Sequence, residues 1–159
     1  MWEWCIVGLM KNLIAVIGAS DCDEKTFRGA WRVGELLAEG GCDVVTGGLA
    51  GVMEGASAGA RDKGASVIGI LPGDDPAAAN PHVTAVVATG MGDARNAIIA
   101  NSAAGFVALP GGEGTLSEIA FALKRGKPIV SLGSWDIDSR VHRAETPEAA
   151  VEWLLKQIG

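Results

Sequence analysis

A chain of 159 residues, 48% of them hydrophobic, can bury one core but not two, so a single domain spanning residues 1–159 is expected. The formal charge of −6 and the lack of any basic run exclude a general nucleic-acid or anionic-membrane partner, since both need clustered Lys and Arg to displace counterions. Cys5, Cys22 and Cys42 form neither a CxxC pair nor a disulfide ladder and read as structural thiols of a cytoplasmic protein.

Met1-Trp2-Glu3-Trp4 carries no positive charge ahead of the short apolar run that follows, so neither a signal peptide nor a membrane span is predicted. Met10 resembles an alternative start, which makes residues 1–9 an extension the fold does not need. Leu13 to Ser20 is a near-continuous β-rich run, as a strand buried on both faces requires. Asp21 or Asp23 can cap the next helix, whose apolar stripe runs from Phe27 to Leu37 and stops at Gly40-Gly41. Asp43 to Gly48 is a second strand and turn. A helix of small residues from Val52 to about Gly64 follows, and then a third strand over 66–71.

Pro72 to Pro81 is the longest irregular segment, a surface loop and candidate lid. A strand is predicted over 83–88, a helix over 93–104, a strand over 105–110 and a helix over 115–124. Pro128 to Leu132 gives the last strand. Trp135 to Arg143 reads as irregular, and Thr146-Pro147 opens a terminal helix. The alternation predicts an α/β fold: a Rossmann-like, doubly wound, mostly parallel sheet with helices on both faces.

Ligands of such sheets sit beyond the carboxyl ends of the strands, near the point where strand order reverses. Two glycine clusters fall there. One is Thr46-Gly47-Gly48-Leu49-Ala50-Gly51; the other, Pro110-Gly111-Gly112-Glu113-Gly114-Thr115, has backbone amides that can converge on an anion with the positive end of a helix behind them. The candidate phosphate or ligand-binding residues are Gly18, Ser20, Gly47, Gly48, Gly111, Gly112, Gly114 and Thr115. Neither cluster completes GxGxxG, no P-loop or GxSxG occurs, and the aspartates lack metal-ligand spacing, so no metal is expected. His82 and His142 read as surface residues. Arg95 lies in the first turn of its helix, where a cation is disfavoured unless an anion offsets it. Glu118 follows the second cluster at a spacing that fits both a Thr115–Glu118 capping box and a catalytic carboxylate.

Leu109-Pro110-Gly111-Gly112-Glu113-Gly114-Thr115-Leu116-Ser117-Glu118 resembles the PGGxGTxxE signature of LOG-type proteins, of the lysine-decarboxylase-like superfamily. Gly92-Asp93-Ala94-Arg95-Asn96 and Val45-Thr46-Gly47-Gly48-Leu49-Ala50-Gly51-Val52-Met53 are similar to two further segments of that family, and Val16 to Ser20 to its opening strand. Two branches share the signature. One hydrolyses the N-glycosidic bond of nucleoside 5′-monophosphates without a cofactor. The other resembles molybdenum-cofactor carriers, which bind a pterin phosphate without known turnover.

For the hydrolase branch the resemblance implies phosphate on the 111–115 loop and catalytic roles for Arg95 and Glu118 beside the ribose. A carboxylate there stabilises the oxocarbenium-like transition state. Because both residues are retained, hydrolysis is the working expectation, and carriage of the molybdenum cofactor is the alternative. The hydrolases carry Arg-Lys where this chain has Arg95-Asn96, and Glu-Glu where it has Ser117-Glu118. A small phosphorylated metabolite is the expected partner, and the resemblance implies a homodimer or larger homo-oligomer.

Overall fold

Parallel strands covered on both faces need unbroken apolar runs, and the chain supplies them in order: Leu13–Ile17 (β1), Asp43–Thr46 (β2), Val67–Leu71 (β3), Ala85–Ala88 (β4), Gly105–Ala108 (β5), Ile129–Ser131 (β6) and Val141–Arg143 (β7). The computed structural model describes residues 11–159, so the expected extension over residues 1–9 lies outside the described residues. All neighbouring strands pair in parallel, in the order β4-β3-β2-β1-β5-β6-β7. Strand order reverses at β1, which lies between β2 and β5. The α/β, Rossmann-like expectation holds.

Five α-helices cover the sheet: Glu24–Glu39 (α1), Val52–Asp62 (α2), Arg95–Ser102 (α3), Glu113–Lys124 (α4) and Pro147–Ile158 (α5). Successive strand side chains point to opposite faces. Ile14, Val16, Val44, Val107 and Leu109 therefore pack against α1, α2 and α5. Ala15, Ile17, Val45, Phe106 and Ala108 pack against α3 and α4. Caps fix the helix starts: the Asp23 carboxylate accepts from the Thr26 amide at 2.8 Å, and the Thr146 hydroxyl from the Ala149 amide at 3.2 Å.

Three expectations change. The stretch expected to be irregular from Trp135 to Arg143 contains β7, whose three residues become a strand through pairing with β6, Ile129 opposite Val141. Its edge position buries little, so its sequence shows no apolar run. α4 begins at Glu113 rather than Thr115, because Gly112 is its N-cap. The candidate lid over 72–81 lines no part of the cleft described below. Asn80 pins that segment beside the β2 turn instead, donating from its backbone to the Gly48 carbonyl (2.8 Å) and from its side chain to the Leu49 carbonyl (2.9 Å).

α1 and α2 approach closely enough for backbone to touch backbone. A Cβ on Gly59 would overlap the Trp31 carbonyl, and one on Gly34 would overlap the Ala56 carbonyl. Alanine at an exposed helical position gains up to about 1 kcal/mol over glycine. Here the sign reverses: Gly59→Ala is expected to destabilise by about 1–3 kcal/mol, as overpacking does. Urea unfolding of the two proteins checks it, and a variant as stable as the parent contradicts the close approach.

Candidate functional site: a cleft where strand order reverses

The turn after β1 ties three elements together through one residue. The Ala19 amide donates to the Pro110 carbonyl (3.0 Å), and the Ala19 carbonyl accepts from the Val52 amide (2.9 Å) at the start of α2. Gly51 has φ +62° and Gly111 packs against the Ala19 amide; a Cβ on Gly51 would overlap the Ala19 carbonyl oxygen, and one on Gly111 the Thr115 hydroxyl. The ends of β1, β2 and β5 are thus held around a cleft of about 370 Å³. α3 closes it on the far side with Arg95 and Asn96, and the turn before that helix adds Asp93.

α4 enters the cleft uncapped. Gly112 makes no side-chain capping bond, and among the described residues the amides of Gly112, Glu113, Gly114 and Thr115 donate to no protein acceptor. The capping box that the spacing allowed is not formed: Thr115 and Glu118 are the third and sixth residues of the helix. The four free amides lie in the loop the sequence singled out, at the positive end of the helix dipole.

Arg95 is positioned by the ends of β2 and β3. Its Nη1 donates to the Gly47 carbonyl at 2.7 Å and to the Ile70 carbonyl, and its Nε to Asn96 Oδ1 at 2.8 Å. These carbonyls offset a cation at a helix start, a role the sequence had left to an anion. Nη2 has no protein acceptor among the described residues, which leaves it for a ligand. Burial pulls the guanidinium pKa down, against the fields of Glu118 and Asp93, which raise it. Asn96 then turns to α4, donating from Nδ2 to the Ser117 hydroxyl at 3.0 Å, which itself donates to the Gly114 carbonyl at 2.7 Å. The two positions at which this chain departs from the hydrolases therefore bond to each other as a neutral pair. The sequence showed only two separate departures, because their contact crosses from α3 to α4.

Of the predicted residues, Gly18, Ser20, Gly47, Arg95, Gly112, Gly114, Thr115 and Glu118 line this cleft. Gly48 and Gly111 do not. Gly48 serves the β2 turn at φ +76°, its amide donating to the Thr46 hydroxyl (3.0 Å), and Gly111 serves the packing on Ala19. Leu49, Met53, Asp21, Asp93 and Glu113 also belong to the lining, though none was among the predicted site residues. His82 and His142 lie elsewhere, His142 stacking on Trp153 at 4.3 Å between ring centroids. Burial, with nearby aspartates, pushes the Cys22 and Cys42 thiols up, which suits unreactive residues. Among the described residues no group of three or more His, Cys, Asp or Glu could hold a metal ion, and no helix is long and apolar enough to cross a membrane.

A model of the SLOG cluster4 family matches residues 11–156. The chain belongs to that family. It is 46% identical over 142 residues to an uncharacterized protein of Archaeoglobus fulgidus, covering 89% of this chain and 93% of the relative. Among solved structures it is similar to the molybdenum cofactor binding protein of Rippkaea orientalis, with a TM-score of 0.89 and 34% identity over 95% of this chain and 99% of that one. It also resembles the molybdenum cofactor carrier protein of Chlamydomonas reinhardtii, with a TM-score of 0.83 and 34% identity over 94% and 98%.

In this SLOG cluster4 protein Glu118 is 7% exposed and forms no hydrogen bond or ion pair among the described residues. Burial raises its pKa from 4.5 to about 8, the field of Arg95 only partly opposing that, so the carboxyl is protonated at neutral pH. Between pH 4.5 and 8 the folded protein holds a proton that the unfolded chain has released, so stability falls across that window by up to about 1.4 kcal/mol per pH unit and levels off above it. Glu118→Gln removes the titration. Its stability is expected to match the parent near pH 4.5 and exceed it by a few kcal/mol at pH 9. Denaturant melts at both values check this, and parallel curves for parent and variant contradict it.

Proposed function

We propose that this protein binds and carries the molybdenum cofactor or a closely related pterin phosphate, without turning it over. The observation that carries the reading is the uncapped start of α4, with four free amides in a cleft that also holds Arg95. A phosphate monoester fits that donor set, with Nη2 of Arg95 as a charged contact. Leu49 and Met53 offer apolar contacts for a flat heterocycle, while Asp21 and Asp93 at the rim offer acceptors for the amino and ring N–H groups of a pterin. The similarity to a molybdenum cofactor binding protein and a carrier protein favours this reading over hydrolysis. A homodimer or larger assembly acting in the cytoplasm is part of the proposal.

Chemistry at the site follows from charge. With Glu118 neutral, Arg95 and the helix dipole dominate the inner cleft and attract an anion; once Glu118 ionises, its charge opposes the phosphate. Hydrolysis of nucleoside 5′-monophosphates remains the second reading, favoured by Glu118 standing in the same cleft as Arg95. It makes the opposite demand, since a carboxylate that stabilises an oxocarbenium-like centre must be ionised.

Protein purified from cells that make the cofactor is expected to carry molybdenum and a pterin in fixed ratio, and to release no base from AMP at high enzyme concentration. Empty protein together with base release rejects the carrier reading. The pH dependence separates the two readings again. Affinity for AMP or the cofactor is expected to fall as pH rises through about 8, and to become flat in Glu118→Gln. A base-release rate that rises through the same pH, and is lost in that variant, supports the hydrolase instead.

A further inference from the structure

The amides of Gly112 to Thr115, unpartnered among the described residues, belong to residues that line the cleft, and the turn that presents them must be held when no ligand is bound. A trans peptide sets its C=O and N–H in opposite directions, so whatever fixes the carbonyls of Gly111 and Gly112 also aims the amides of Gly112 and Glu113. The Trp135 indole N–H lies between those two carbonyls, 2.9 Å from Gly111 O and 3.2 Å from Gly112 O, and of the two the Gly112 carbonyl also accepts the first helical bond of α4, from the Leu116 amide at 3.1 Å. Trp135 is 38% exposed and lines a neighbouring cavity of about 350 Å³ rather than the cleft. It therefore grips the loop from behind, on the side away from the ligand.

The segment that carries Trp135 is itself anchored. The Ser134 amide donates to the Ser131 hydroxyl (3.0 Å) at the end of β6, Gly133 turns the chain at φ +73°, and Asp136 pairs with Arg143 on β7. A chain of contacts thus runs from the edge of the sheet, through Asp136 and Trp135, to the loop carbonyls, and across two peptide planes to the amides.

We infer that Trp135 is a positioning residue: its indole N–H, bridging the Gly111 and Gly112 carbonyls, presets the Gly112 amide toward an anion in the cleft, beside the Glu113 amide that the Leu116–Gly112 helix bond already directs. The inference rests on the reading of that cleft as a phosphate site. It assigns Trp135 no contact with the ligand. The energetic reason is preorganisation, because a glycine loop that must choose its peptide orientation on binding loses affinity to that ordering.

The test compares parent and Trp135→Phe, which keeps an aromatic ring and removes the donor together with the five-membered part of the indole. Calorimetric titration with AMP is expected to show roughly three- to tenfold weaker binding, the range that one neutral hydrogen bond spans. The melting temperature should barely change, since the ring is partly exposed. The backbone order parameter of the Gly112 amide in the free protein, read by nitrogen relaxation, should fall, while those of Thr115 and later helix amides stay as they were. A merely structural role would lower stability without this local pattern.

Parent-like AMP affinity in Trp135→Phe overturns the inference and leaves the phosphate reading standing. If neither protein binds AMP or inorganic phosphate, the phosphate reading fails, and an unchanged order parameter at Gly112 then overturns the positioning role as well. Should Trp135→Phe not fold, Asp136→Asn loosens the anchor without touching indole or cleft. A smaller loss of AMP affinity in the same direction is expected, and none overturns the inference.

Discussion

The site depends on one crowded point, the peptide groups of Ala19 at the end of β1. Its amide holds the loop after β5 and its carbonyl holds the start of α2, so two turns remote in sequence are fixed against a third. A Cβ at position 51 would overlap the Ala19 carbonyl, and one at position 111 would overlap the Thr115 side chain beside the Ala19 amide. The cleft follows from this constraint. Strand order reverses at β1, the helices after β2 and β5 diverge to opposite faces of the sheet, and the space between their starts is left unfilled.

What fills that space is electrostatically unusual. Arg95 is held by backbone carbonyls rather than by a carboxylate, and the Glu118 carboxyl is buried with no hydrogen-bonding partner among the described residues, the field of Arg95 only partly offsetting its burial. A group that would rather be solvated is kept at the inner wall, at a cost to stability that grows with pH. Such strain persists where a ligand site needs it. The Asn96–Ser117 hydrogen bond joins α3 to α4 beside this pair without adding charge. The net result is an inner wall whose carboxyl, that of Glu118, is protonated at neutral pH, with the exposed acidic side chains of Asp21, Asp93 and Glu113 at the rim.

The edges of the sheet matter more than their short strands suggest. β7 contributes three residues, yet it brings Arg143 to Asp136 and so steadies the segment behind the anion loop. At the other edge β4 leaves Val86 and Val87 39% and 45% exposed, which is why its sequence resembles a buried strand although its setting is not one.

Much of this was legible in one dimension. Apolar runs of strand length, capping residues such as Asp23 and Thr146, and glycines at the turns are local signals, because each acts on neighbours a few residues away. The α/β order, the anion loop and the presence of Arg95 and Glu118 at one sheet edge follow from them. Tertiary structure alone decided the rest. β7 is a strand only because β6 lies beside it; Gly48 and Gly111 turn out to shape the walls rather than face the cleft; the 72–81 segment is tied down at Gly48 and Leu49 rather than closing over the site. Glu118 gives up the capping role its spacing allowed because the helix starts two residues earlier, at a glycine cap. Its proton, the pairing of Asn96 with Ser117 and the contact of Trp135 with the loop depend on burial and on partners about 20 residues away or more, and neither burial nor such distances leave a local pattern in a sequence.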